Sequence, residues 1–399
     1  MMQTSGKTSF RALGAILLTV AFSATASAQF NQFTGSVSSD YNDPANWTTG
    51  IVPAGSAETA VIGQAGIAGA ANPAVVDVTS STPTGLFEFS VGEGGGTGTV
   101  NHSAGTIGTA NWALVGRGAG SVGTYNLSGN GDVQVGGGAG GTGSFAAGVG
   151  GGSGTINIAG GTVASGGYTI GIDDGSTGIV NQSAGAVTAG TWINVGQAGG
   201  ADGTYNLSGG SLTTDELSIG ENGPVTGTFN ASGTGVVNAD ETRVGRNDGS
   251  TGTLTVTGSD VDFTTNLFSV ASNDGGLSLD STGLVSFISD VTDISTLNVN
   301  GDVFLNDGLG AGSTASLSID LTAGDPGGDL LLFDVGGDIT GQFTGLSEGA
   351  LVAGANGRTI TYDYLGNGDI ALVASVIPEP SSITLLMIAG FGLLKRRRA

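Results

Sequence analysis

The chain has 399 residues, 33 of them acidic and 10 basic, for a net charge of −23, with 78 glycines, one histidine and no cysteine. Without cysteine there is no disulfide framework and no thiolate metal site. So acidic a surface also argues against a nucleic-acid partner, because phosphate binding needs basic patches.

The first 28 residues read as a secretory signal peptide. Lys7 and Arg11 form the charged start, Leu13 to Phe22 the apolar stretch, and Ala26-Ser27-Ala28 the small-residue cleavage site. Residues 29–62 (QFNQFTGSVSSDYNDPANW…) read as an N-terminal cap, with Trp47 filling it. A solenoid needs its terminal coils covered.

Residues 63–321 read as a repeat domain. GTVNHSAGTI opens at Gly98, GTYNLSGNGDV at Gly123, GTINIAGGTV at Gly154 and GIVNQSAGAV at Gly178. GTYNLSGGSL opens at Gly203, GTFNASGTGVV at Gly227 and GTLTVTGSDV at Gly252. A fixed period of this length marks a stacked-repeat architecture. Within each unit apolar and polar residues alternate with period two, as in Tyr125/Leu127 against Thr124/Asn126/Ser128, which is strand patterning. The apolar column is expected to run on through Tyr205/Leu207, Leu254/Val256 and Leu277/Leu279. Each unit ends at a Val-Gly or Ile-Gly anchor such as Val195-Gly196 or Ile219-Gly220. Three short strands and three turns per unit predict a parallel β-helix of about nine or more coils. Residues 136–143 (GGGAGGTG) account for the one long spacing and read as an inserted loop.

Residues 322–376 read as a C-terminal cap. Asn367-Gly368 between two apolar strands signals a closing hairpin. The opening around Trp47 and this hairpin resemble those of autotransporter- or adhesin-type β-helical surface proteins.

Residues 377–399 hold Pro378-Glu379-Pro380, an uncharged apolar run over 383–394, and Lys395-Arg396-Arg397-Arg398. Physically this is a short transmembrane stop with a basic cytoplasmic lock. Motif, order and terminal position resemble the PEP-CTERM sorting signal of Gram-negative bacteria. That resemblance implies an exosortase-type processing enzyme as partner, a transient stay in the inner membrane, and delivery to the cell surface or an exopolysaccharide matrix.

The residues offer no catalytic constellation. His102, the only histidine, falls in the inward apolar column and reads as a rung residue. The position after each anchor carries Glu93, Arg117, Gln197, Glu221 and Arg246 in different units, which reads as a solvated turn. The Asp-Gly pairs Asp174-Gly175, Asp248-Gly249 and Asp274-Gly275 read as tight turns, with Ca²⁺ as the alternative; no cofactor is expected. Asn101, Asn126, Asn181, Asn206 and Asn230 read as a stacked asparagine ladder rather than glycan acceptors. The expected function is an exported, non-catalytic structural or adhesive surface protein. The alternative is a carbohydrate-binding or polysaccharide-cleaving β-helix, which a cleft lined by several acids and an arginine would favour.

Overall fold

The computed structural model describes residues 29–374, apart from 83–84, 174, 248, 272–279, 291–292 and 307–311. The described chain is all-β. Its strands join one long, mostly parallel sheet, and the only helical turn among the described residues is the 3-10 turn Pro44–Asn46. The arrangement is compatible with a β-helix.

The repeat period and the ladder register coincide. Thr97–Thr109 pairs in parallel with Val122–Val135, which pairs with Ser153–Ile172, and that strand with Thr177–Val195. The ladder continues through Asp202–Leu207, Thr226–Ser232 and Thr251–Thr257. All seven opening glycines, Gly98 to Gly252, stand in register. The long spacing after Gly123 leaves this register intact, because residues 136–143 leave the ladder as a loop between Val122–Val135 and Ser144–Val149.

Alternation along each strand sends one set of side chains inward. Tyr125, Ile156, Tyr205, Phe229 and Leu254 share one column and are each at most 1% exposed. Each such burial is worth roughly 1.5–3 kcal/mol. Aromatic rings touch from rung to rung: Tyr205 stacks on Phe229 at 5.1 Å, and Phe229 meets Phe263 edge-on at 6.5 Å. Such contacts add about 0.5–1.5 kcal/mol beyond burial.

Glycine is required where rungs cross at the anchors. Gly220 has φ +72°, and a Cβ there would lie 2.4 Å from the Thr251 carbonyl oxygen. Gly252, at the start of that neighbouring strand, would place a Cβ 2.1 Å from the Ile219 oxygen. Two glycine columns thus close this corner backbone against backbone.

Two expectations need correcting. The column does not pass from Leu254/Val256 to Leu277/Leu279. Leu254 pairs with Val285 and Val256 with Phe287, on Thr282–Ile288, while Leu277 and Leu279 lie outside the described residues. The Thr282-Gly283 pair repeats the Thr-Gly start of the units at 226 and 251, and that pair, not spacing, sets the register. Nor are the three segments of a unit always parted by turns: 177–182, 186–189 and 192–195 are three ladder runs within one continuous strand. Thr177–Val195 runs as one strand, and its bends are register shifts between Gln182 and Ala186 and between Ala189 and Trp192. A bulge turns the chain without breaking the ladder.

At the N-terminal end Gln29–Gln32 already pairs in parallel with Glu58–Gln64. Trp47 is buried there, edge-on to Phe33 and Tyr41, and its indole nitrogen donates to the Tyr41 carbonyl at 2.8 Å. At the other end Thr359–Tyr364 and Asp369–Val373 form an antiparallel hairpin. Asp369–Val373 lies antiparallel to Leu330–Val335, ending the parallel ladder. Buried Arg358 fastens this end, donating to Asp325 at 2.6 Å and to the Gly328 carbonyl at 2.7 Å.

Candidate functional site

The sorting residues Pro378, Glu379, Pro380, Lys395, Arg396, Arg397 and Arg398, the cleavage residues Ala26 and Ala28, and the apolar run over 383–394 lie outside the described residues. No helix among the described residues is long and apolar enough to cross a membrane. Of the aspartates in the Asp-Gly pairs, Asp174, Asp248 and Asp274 also lie outside them. Among the described residues no group of three or more His, Asp or Glu is placed to hold a metal ion.

His102 is fully buried in the inward column. Its Nε2 lies 2.8 Å from the Gly105 carbonyl oxygen and its Nδ1 2.7 Å from the Tyr125 hydroxyl. A carbonyl only accepts, so Nε2 carries the proton and Tyr125 donates to Nδ1. Burial lowers the His102 pKa. The ring is neutral and spent on structure. Gln182 is built the same way: Tyr205 donates to its Oε1 at 2.5 Å, and its Nε2 donates to the Gly185 carbonyl at 3.2 Å.

The asparagine column forms a side-chain ladder. Asn230, Asn206, Asn181, Asn157, Asn126 and Asn101 each donate through Nδ2 to the preceding rung at 2.8–3.0 Å, the last to Asp77. Asp77 also accepts from Ser39, and these hydrogen bonds hold its carboxyl below the usual carboxylate range. The ladder stops beyond Asn230 because the next rung presents Thr255.

The position after the anchors is not the solvated turn that its changing charge suggests. Trp192, Glu216 and Glu241 stand in register on successive rungs, and so do Asn194, Ser218 and Arg243. Asn194 and Ser218 lie between inward residues and therefore point outward, yet they are 3% and 0% exposed. Large charged side chains fold over them. Arg246 Nη1 donates to Glu216 at 2.6 Å and to Glu221 at 3.3 Å, and Arg243 Nη2 donates to Glu241 at 2.5 Å. The Glu221 side chain is only 12% exposed. Burial pushes its carboxyl up to about 7; Arg246 pulls it back, and Glu216 raises it further.

Over this patch lies an open groove of about 270 Å³ lined by Thr191, Trp192, Asn194, Gln197, Glu216, Glu221 and Arg246. Trp192 is 38% exposed. Its indole lies across Gly167, where a Cβ would come within 2.7 Å of the ring. Beneath the groove the buried Asn194 Oδ1 has no hydrogen-bond partner, while the side chains of Gln197 and Glu221 interact with each other.

Sequence reasoning named Gln197, Glu221 and Arg246 but missed Trp192, Asn194 and Glu216. A signal existed. Glu216–Glu221 reads ELSIGE and Glu88–Glu93 reads EFSVGE, and the next anchored strand in each case ends in Val-Gly-Arg or lies below one that does. No match to the chain was found among family models, curated proteins or solved structures.

Proposed function

We propose that the protein is an exported, non-catalytic structural or adhesive component of the cell surface or extracellular matrix. In this reading it is a β-solenoid of nine or more coils, brought out by its leader and sorted by the PEP-CTERM-like tail at Pro378-Glu379-Pro380. The supporting observation is the parallel ladder, in register from Ala74–Val78 to Thr314–Asp320 and closed at its far end by an antiparallel hairpin. Stacked rungs at roughly 4.8 Å spacing make a stiff element suited to load and display.

Mass spectrometry of the protein from the surface of its producing cells tests this reading. The mature form should begin near Gln29 and lack the residues beyond the Pro-Glu-Pro motif. A mature peptide containing Phe391 to Leu394 would overturn processing and leave a simple membrane anchor.

A second reading, a carbohydrate-binding β-solenoid, draws on one specific observation. Exposed Trp192 stands beside Glu216, Glu221 and Arg246 in an open groove.

A further inference from the structure

We propose that the groove at Trp192 seats a sugar ring of an uncharged polysaccharide. The inference rests on the reading of the protein as one that meets polysaccharide outside the cell, and it names the place and the chemistry.

The groove states what its ligand must supply. Asn194 Oδ1 is an acceptor without a donor, whereas Gln197 and Glu221 lie against each other and interact through their side chains. Asn194 is 3% exposed, and its Oδ1 lies beneath the side chains that line the groove. A buried acceptor left unpaired costs about 1–3 kcal/mol. The ligand must therefore donate a hydrogen bond at Asn194, at the floor of the groove. Trp192 adds a second requirement: its indole is held over Gly167 and stays 38% exposed, so the ligand needs an apolar face for that ring. A pyranose carries C–H groups on its face and hydroxyl donors on its rim. A bare metal ion would satisfy the acceptor but leave the indole without a role.

Charge narrows the class. Glu216 and Glu221 line the groove with Arg246 as its one lining cation, and both carboxylates already hold that guanidinium. No positive charge is left over for a uronate, sulfate or phosphate, and the acceptor oxygens would repel one. The sugar is therefore a neutral hexose unit. Because rungs above and below continue the wall, a polymer can lie across it with one ring seated on Trp192.

The test uses the full chain in native affinity electrophoresis through gels containing laminarin, dextran or alginate, with titration of the retained glycan's oligosaccharides. At least one neutral glucan should retard the protein and alginate should not. Trp192→Ala should weaken binding by about tenfold or more, and Trp192→Phe, which keeps a ring, should lose less. Asn194→Ala should weaken binding while the melting temperature holds or rises, because the unpaired buried acceptor is removed, and that separates recognition from folding. Unchanged retention of a well-folded Trp192→Ala protein would overturn the groove assignment, and stronger retention by alginate would overturn the charge argument. Failure of every neutral glucan and its oligosaccharides to bind would overturn the proposal outright. Co-sedimentation of the wild-type protein with the extracellular polysaccharide of its own cells tests the underlying reading separately. Co-sedimentation unaffected by Trp192→Ala leaves that reading standing while the groove assignment falls.

Discussion

The wall carries the same charged device twice, and the two copies differ in one hydroxyl. In the N-terminal copy Arg117 reaches Glu88 at 3.2 Å and Glu93 at 3.7 Å. In the central copy Arg246 reaches Glu216 at 2.6 Å and Glu221 at 3.3 Å. Ser90 stands three residues before Glu93 and Ser218 three before Glu221. Ser90 donates to Glu93 at 2.5 Å, whereas Ser218 turns to Glu216 at 3.0 Å. Glu93 is therefore served by a hydroxyl and a guanidinium, whereas Glu221 has Arg246 and the Gln197 side chain and no hydroxyl donor. Burial raises both carboxyls. Two similar hexapeptides, EFSVGE and ELSIGE, thus give a closed cluster in one place and an open groove in the other, and the rung beneath adds to the difference that the serine makes. There Asn194 and the bulge before Trp192 leave space that charged side chains do not fill.

The arginines should separate the copies most. Arg246→Met strands the mostly buried Glu221 and leaves Glu216 with Arg243, whose Nε lies 3.8 Å away. The expected loss is about 3 kcal/mol in urea unfolding at pH 8. Arg117 is 37% exposed, and Arg117→Met should cost about 1 kcal/mol or less, because solvent screens the exposed pair. Equal losses would mean that the two clusters are equally buried in solution.

The next effect is a pH dependence. The folded-state pKa of Glu221, about 7, lies above the ordinary 4.5, so the native state binds the proton more tightly than the unfolded chain. The stability this contributes is fully present below about pH 4.5 and is lost as pH rises through 7. Glu221→Gln removes the titration, and the variant should gain about 2–3 kcal/mol on the wild type between pH 5 and pH 8. Parallel stability profiles for the two proteins would rule out a buried, proton-holding Glu221. Ser90→Ala should make the N-terminal copy resemble the central one. Freeing Glu93 of its hydroxyl donor should cost about 1 kcal/mol and steepen the decline of stability with pH.

The repeat architecture was legible because it is written in spacing and alternation. The opening glycines pair rung for rung, and the column of Tyr125, Ile156, Tyr205, Phe229 and Leu254 is buried as its period-two pattern requires. The groove was not legible in the same way. The residue after each anchor changes sign from rung to rung, and in one dimension that looks like a solvated position. Only the lateral neighbours make it otherwise: Trp192 and Glu216 come from a parallel column one strand segment away, and their approach depends on a register shift at residues 189–192. A bulge leaves no hydropathy signature. The paired hexapeptides EFSVGE and ELSIGE were the available clue, and they mark both clusters without telling which one is open.

Inside the wall the sign of the pH effect reverses. His102 is neutral in the fold and its pKa is lowered by burial, so protonation is easier in the unfolded chain. Its contribution is fully present above the ordinary value near 6.5 and is lost as pH falls toward the folded-state pKa. The chain itself supplies the replacement, since Asn101-His102-Ser103-Ala104-Gly105 is matched by Asn181-Gln182-Ser183-Ala184-Gly185. Gln182 makes the same two contacts, accepting from a tyrosine on the next rung and donating to the glycine carbonyl three residues on. His102→Gln should therefore fold with a stability within about 1 kcal/mol of wild type at pH 8, keeping the Tyr125 hydroxyl satisfied. At pH 5 the variant should be the more stable protein, because it has no imidazole to protonate. Thermal unfolding of both proteins at the two pH values decides the matter. If His102→Gln loses stability in acid as steeply as the wild type does, acid lability arises elsewhere and the imidazole is not held neutral in the rung.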